Sequence, residues 1–230
     1  MQSAVERTVW RKSYSVCRLE LSAEPDWRWD SPTWRDVPAE VLDHYMGPRP
    51  IHFPRTEFKI GYDDRSVHLL FRVEDRFVRA TAARHQERVC GDSCVEFFFV
   101  PGPDSDAGYF NLEINCGGTV LFHHNREERR GTRVIERRRC ESLVRMHSLP
   151  GQVEPELTEP VTWQVACTIP YDLLAEYVAM RPPQPRDIWR ANVYKCADDT
   201  SHPHWLTWSE VVAPRPDFHR VRFFGFLCFL

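Results

Sequence analysis

Apolar and polar positions alternate with a period of two along most of this chain, and short turn-forming clusters interrupt the alternation. In 57-EFKIGYDDRSVHLLFRVED-75, Phe58, Ile60 and Tyr62 alternate, and Val67, Leu69, Phe71 and Val73 resume the pattern beyond Asp63-Asp64-Arg65-Ser66. This predicts a β-hairpin closed by an Asx-type turn. Further strands are predicted over 94–100, 109–115, 119–125, 141–147, 161–169, 189–196 and 221–229. Helical spacing occurs once, in 171-YDLLAEYVAM-180, which follows Pro170 and stops before 182-PPQP-185. The fold class expected is all-β: an antiparallel β-sandwich, immunoglobulin-like or jelly-roll-like, with one short helix and long wrapping loops.

The wrapping loops are 25-PDWRWDSPTWRDVP-38 and 47-GPRPIHFP-54, which are Pro-rich, aromatic and too apolar to remain in water as linkers. The run 126-REERRGTRVIERRR-139 reads as a solvated charged loop or an edge ribbon. Neither a repeat nor a composition break divides the chain, so one domain is expected over 1–230, with 1–49 as an N-terminal wrapping segment.

Alternation also sorts candidate chemistry by face. In 109-YFNLEIN-115, Phe110, Leu112 and Ile114 point one way and Tyr109, Asn111, Glu113 and Asn115 the other. In 94-CVEFFFV-100, Val95, Phe97 and Phe99 form one row, and Cys94, Glu96, Phe98 and Val100 the opposite one. A carboxylate inside so apolar a strand must be paired or hydrogen-bonded. Glu96 and nearby Asp92 therefore either serve the fold or face something polar. If both polar rows share one sheet face, Glu96 has amide and phenol partners; the plainer alternative is a polar face satisfied internally or by solvent.

Composition narrows the class. The 230 residues are 42% hydrophobic and 27% charged with net charge −3, a balance that offers no nucleic-acid surface. Lys12, Lys59 and Lys195 are the only lysines. No window approaches a membrane span, and 1-MQSAVERTVWRKSYSV-16 lacks a secretory core. A cytoplasmic location is expected from the chain as written, or a secreted or periplasmic one if a signal peptide has been removed. The eight cysteines are expected to be reduced, mostly as small core hydrophobes. Nucleophile-elbow, phosphate-loop and HExxH motifs are all missing from the sequence. Glu96 and Glu113 resemble a glycosidase's two carboxylates, but sequence gives no separation. His123-His124 and 202-HPHW-205 form no metal set at ligand spacing. The acidic pairs Asp63-Asp64, Glu74-Asp75 and Asp198-Asp199 read as turn formers, one of which could hold a structural Ca²⁺; no other cofactor or metal is expected. Trp27, Trp29, Trp34, Trp205 and Trp208 stand in loop-like segments, where rings either cover the ends of the sandwich or stack on a sugar.

The ordered series 58-FKIGYDDRSVHLLFRVED-75, 91-GDSCVEFFFVP-101, 108-GYFNLEINCGGTV-120, 163-WQVACTIPYDLL-174, 189-WRANVYKC-196 and 217-DFHRVRFFGFL-227 resembles the family-nine carbohydrate-binding modules, in particular their stand-alone bacterial relatives. The likeness covers about residues 50–228. It implies a β-sandwich without catalysis that binds a sugar, typically at a chain end, between aromatic rings. The family's ligand-contacting Glu falls on Glu96, and its closing-loop aromatic on Phe218, with His219 beside it. Two positions depart: Arg88-Val89-Cys90 stands where the family places a clamp Trp, and Glu113 where it places an Arg. The function expected is recognition of a mono- or oligosaccharide. Hydrogen bonds would come from Glu96, Asn111, Glu113 and Asn192, and stacking from Phe218 with Trp205 or Trp208. The alternatives are a haem-b electron-transfer subunit of related fold, with Met146, Lys195 or a histidine as axial donor, and a scaffold domain with a vestigial sugar site.

Overall fold

The computed structural model describes residues 11–20, 26–103 and 106–230. Residues 1–10, read as lacking a secretory core, and 21–25, read as belonging to the N-terminal wrapping segment, lie outside the described residues.

The 57–75 hairpin forms as its pattern requires. Strands Arg55–Tyr62 and Ser66–Asp75 pair antiparallel with Tyr62 opposite Val67. Asp63 Oδ1 accepts the backbone N–H groups of Arg65 at 2.7 Å and Ser66 at 2.8 Å, which is the Asx turn expected from its sequence. Ser66–Asp75 pairs on its other edge with Val161–Pro170 over ten residues, and the short strand Arg145–His147 closes that side. The second sheet runs in the order Arg130–Val134, Val120–Glu127, Tyr109–Asn115, Cys94–Val100, Ile188–Cys196, Gly225–Phe229. Strand Ser13–Arg18 joins the two sheets: its first residues pair parallel with Gly225–Phe229, and Cys17 and Arg18 pair parallel with Gly61 and Tyr62. The sandwich expected from sequence is present, with these two parallel pairings inside an otherwise antiparallel ladder.

The core lies where the alternating rows converge. Phe58, Ile60, Leu69, Phe71 and Val73 from one sheet meet Val95, Phe97, Phe99, Phe110, Leu112 and Ile114 from the other. Full burial of each is worth roughly 1.5–3 kcal/mol. Trp27, Trp29 and Trp34 cover the outer face of the hairpin sheet against Leu70 and Ala166. Lys59 pins this wrap, because its ammonium donates to the carbonyls of Trp34 at 2.6 Å and Trp29 at 3.1 Å, while Arg72 lies 4.4 Å from the Trp29 ring centre. These three tryptophans therefore serve the fold.

The helix is shorter than its pattern predicts. It spans Tyr171–Ala175, after which the N–H groups of Glu176 and Tyr177 bond to the carbonyls of Leu173 and Leu174, three residues back, and the helix tightens to an end. The charged run 126–139 holds the expected edge ribbon and also begins a second short helix, Arg137–Glu141, whose buried face is Cys140. The strand predicted over 141–147 accordingly begins only at Arg145. Gly225–Phe229 likewise begins after a 3-10 turn at Val221–Phe223.

Candidate functional site

Register decides whether the two polar rows meet. Glu113 is the direct partner of Glu96, and Glu96 that of Tyr194, so the three form one row across adjacent strands. The flanking rows are Asn111, Phe98, Asn192 and Asn115, Cys94, Cys196. All lie on the face turned away from the core between the sheets, and the segments 82–92 and 211–224 cover them: Phe218 stacks on Tyr194 with ring centres 4.1 Å apart, Val211, Val221 and Phe224 pack beside them, and Ala82 and Val89 lie in the same cluster as Cys94 and Cys196. The Tyr194 hydroxyl donates to the carbonyl of Phe218 at 3.0 Å.

Between sheet and cover lies a cavity of about 240 Å³. Carboxyl groups reach it from Glu96, Glu113, Asp198 and Asp217, aromatic rings from Phe98, Trp205, Phe218 and His219, and a guanidinium from Arg129. Arg129 sits at the tip of the edge ribbon with a φ of 57°, a left-handed turn position. Its Nε and Nη2 donate to Asp217 Oδ1 at 2.9 and 2.7 Å, using two of five N–H groups. Trp205 Nε1 donates to Asp198 Oδ1 at 2.8 Å, and Arg88 anchors the other side of that acidic pair.

A relay holds Glu113. Thr132 donates to Asn125 Oδ1, Asn125 Nδ2 to Asn111 Oδ1 at 2.6 Å, and Asn111 Nδ2 to Glu113 Oε1 at 2.9 Å. Glu96 Oε1 accepts the Cys196 thiol at 3.0 Å. Burial, reinforced by the facing Glu113 and by Asp198, holds the Glu96 carboxyl well above the usual range, and the thiol bond offsets only part of this. Burial likewise raises Glu113 to about 7, against the pull of its Asn111 bond. Burial acts to raise Asp217 too, but Arg129 and Arg220 outweigh it and hold that carboxyl below its ordinary value. His219 is lowered to about 4 by burial and by Arg129, so its imidazole is neutral; Nδ1 is 2.6 Å from the Tyr109 hydroxyl.

The expected site residues thus separate. Glu96, Glu113, Trp205, Phe218 and His219 reach the cavity, with Asn111 directly behind Glu113. Asn192 lies on the right face but off the cavity wall: its amide donates to the Ser209 carbonyl and accepts the N–H groups of Val193 and Ser209, tying down the loop after Trp208. Trp208 is fully buried in the core between the sheets, edge-on to Phe58 with ring centres 5.7 Å apart, so of the two tryptophans it is Trp205 that lines the cavity. Asn115 and Asp92 serve the fold, since Asp92 accepts from Thr81, Ala82 and Asn115 and closes the 81–92 loop onto the sheet. Arg129, Asp198 and Asp217 join the site although strand alternation does not select them. The signals present were the adjacency of Asp217 to Phe218 and a ribbon tip in the charged run.

The other ligand sets considered lie apart. Lys195 is buried on the core side, with Nζ 2.8 Å from His204 Nε2, whereas Met146 packs on the wrapping tryptophans of the opposite sheet. Asp64 pairs with Arg18, and Asp75 bonds to His52 and the Trp163 indole.

A two-sheet sandwich carrying, on one outer face, a half-open cavity lined by acids and rings has the form of a carbohydrate-binding module. The pattern of the Carbohydrate-binding family 9 matches residues 36–229, and the chain belongs to that family, whose modules are non-catalytic. A protein of Bacteroides uniformis ATCC 8492 described as a candidate carbohydrate-binding protein is similar at 29% identity, over 96% of this chain and 100% of its own, with a TM-score of 0.82. A family 9 module of Caldicellulosiruptor kristjanssonii, solved with cellotriose, shares the fold at 12% identity and a TM-score of 0.64, over 95% of this chain and 93% of its own. The same organism's module with glucose gives 10% and 0.60, over 95% and 96%. No curated protein sequence matches the chain. Among the described residues no helix is long and apolar enough to cross a membrane.

Proposed function

We propose that the cavity takes the terminal ring of a saccharide. The observation that carries this reading is a volume of about 240 Å³ combined with acids, a guanidinium and aromatic rings in its lining. Pockets that engulf drug-sized ligands span about 300–1,000 Å³, so this one matches a single pyranose ring with the rest of the chain outside. The carboxyl groups of Glu96, Glu113, Asp198 and Asp217 accept sugar hydroxyls, and Arg129 donates to ring or hydroxyl oxygens. Arg129 thereby supplies, from the edge ribbon, the cation displaced by Glu113. Phe218 and Trp205 offer apolar faces to the C–H side of the ring, and Trp205 takes the part of the missing clamp tryptophan. Asn111 acts through Glu113 as a positioning residue. Relatives of this fold solved with cellotriose and with glucose support a sugar as the ligand.

The test is calorimetric titration of a panel of mono- and oligosaccharides, with tryptophan fluorescence followed in parallel. The expected result is binding of one monosaccharide and of its oligomers with affinities within about tenfold, or ~1.4 kcal/mol, because only the end ring is enclosed. Oligomers that bind far more tightly than the monosaccharide would instead place the ligand along an open cleft. Folded protein that binds nothing in the panel would return the chain to the scaffold reading.

A further inference from the structure

The floor of the cavity carries a second kind of donor set. Cys94 and Cys196 are direct partners on neighbouring strands, and Glu96 lies two residues along the same face. One ligand atom from each of Cys94, Cys196 and Glu96 can be chosen so that all three lie within 4.8 Å of one another, and all three residues are buried. Cys196 Sγ and Glu96 Oε1 are 3.0 Å apart. Cys94 Sγ makes a long hydrogen bond of 3.6 Å to the carbonyl of Val95 and a thiol–thiol hydrogen bond with Cys196.

We propose that Cys94, Cys196 and Glu96 form a binding site for a thiophilic divalent cation, Zn²⁺ being the natural candidate, with its fourth position open to the cavity. The distances suit this reading. With Zn–S bonds of about 2.3 Å and Zn–O bonds of about 2.0–2.2 Å, tetrahedral ligand atoms stand roughly 3.5–3.8 Å apart, so the triad accepts the ion after small rotamer adjustments and no strand movement. Two sulfur donors select a borderline-soft ion over Mg²⁺ or Ca²⁺, which require oxygen ligands. Three protein ligands leave one coordination position for water or another oxygen donor. Glu96 and Cys196 both line the cavity, which sets the direction of that position. Binding releases the protons of the thiols and of any protonated carboxyl to solvent and forms no covalent bond between protein groups.

The strand ladder also explains why the triad is preorganised. Cys94 and Glu96 are fixed at i and i+2 on a strand buried on both faces, and Cys196 is held by pairing with Cys94 and by its backbone carbonyl, which accepts Lys195 Nζ at 3.0 Å on the core side. The donor atoms are therefore supported by rigid elements and not by loops.

The experiment is a Co²⁺ titration of reduced, chelator-treated wild-type protein in the absence of sugar. The expected result is uptake of one equivalent, with a thiolate-to-cobalt charge-transfer band in the near ultraviolet and visible bands of tetrahedral intensity. Zn²⁺ should then abolish both. Cys94→Ser and Cys196→Ser should each weaken uptake at least tenfold, and Glu96→Gln should weaken it while the sulfur band persists. Should the serine variants fail to fold, X-ray absorption of the Zn²⁺-loaded wild type decides, with two sulfur neighbours at about 2.3 Å expected. No stoichiometric uptake, or a shell of nitrogen and oxygen only, would overturn the proposal. Neither result depends on whether the cavity binds sugar.

Discussion

Glu96 and Glu113 stand directly opposite one another on adjacent strands, both buried, at the floor of a cavity that also receives Asp198. Like charges opposed in this way repel, and burial disfavours each charged form as well. The folded chain therefore holds on to protons that the unfolded chain has released. Glu113 goes from an ordinary value of 4.5 to about 7 on folding. A carboxyl raised on folding contributes its stability below the unfolded value and loses it as pH rises through the folded one. For Glu113 the loss develops between pH 4.5 and about 7 and is on the order of 3 kcal/mol. Glu113→Gln, which keeps the Asn111 bond and removes the charge, should thus gain stability relative to wild type across that interval. Urea unfolding of chelator-treated protein at about pH 5 and about pH 8 measures it. A wild-type-minus-variant difference that does not change with pH would mean that the two carboxyls titrate without sensing burial.

Arg129 reaches the cavity from an exposed ribbon tip and bonds to Asp217, which is also held by Arg220 at 2.8 Å. Removing it leaves Asp217 paired, so Arg129→Gln should change stability by less than about 1 kcal/mol. Loss of a charged donor to the ligand costs about 1.5–3 kcal/mol, so sugar affinity should fall roughly 10-fold to 100-fold. Calorimetry on the variant, with its thermal midpoint as the control for folding, checks both halves. Unchanged affinity would exclude Arg129 from ligand contact.

The tryptophans Trp205 and Trp208 lie three residues apart and have opposite assignments. Trp208 fills the space between the sheets, so Trp208→Ala should cost about 3–5 kcal/mol of stability with near-native affinity in the fraction that folds. Trp205→Ala should lower sugar affinity at least tenfold at a smaller cost in stability. The two variants compared by unfolding and by titration form a paired test. A reversal of the pattern would place the stacking ring in the core and refute the proposed wall.

Much of the frame was legible because period-two alternation survives wherever a strand buries one face in the core: Phe58 to Val73, Val95 to Phe99 and Phe110 to Ile114 all took the predicted sides. Each polar row was legible for the same reason, but that the rows share one face rests on the pairing of Glu96 with Glu113, which alternation leaves open. What escaped depends on pairing and on loop paths, which alternation does not encode. Ser13–Arg18 offers only Tyr14 and Val16 as buried alternates, and its parallel contacts depend on partners 44 and 213 residues away. Asn192 and Trp208 follow strand and loop patterns compatible with a site, yet the return of the 205–209 segment turns the amide to Ser209 and the indole to Phe58. Arg129 was hidden in a run of arginines in which charge alone does not single out the residue at the turn.

The Lys195 ammonium and the His204 imidazole are 2.8 Å apart and both buried, with Asp75 3.6 Å from the lysine. A protonated His204 would confront the lysine charge at hydrogen-bond distance. Burial first, then Lys195, lower His204 to about 3, against the opposing pull of Asp75. His204 therefore enters the fold as the acceptor of a Lys195 proton. A base lowered on folding contributes stability that is complete above its unfolded value of 6.5 and is lost as pH falls toward the folded value. Each pH unit within that interval costs about 1.4 kcal/mol. His204→Gln supplies a carbonyl acceptor for Lys195 that does not titrate, so the variant should be less stable than wild type at neutral pH yet lose less stability on acidification. Because His204 leads directly into Trp205, acid should also release that ring before global unfolding, read as a change in tryptophan fluorescence ahead of the far-ultraviolet transition. Parallel acid profiles for wild type and variant would show that the lysine and histidine are not coupled as their spacing requires.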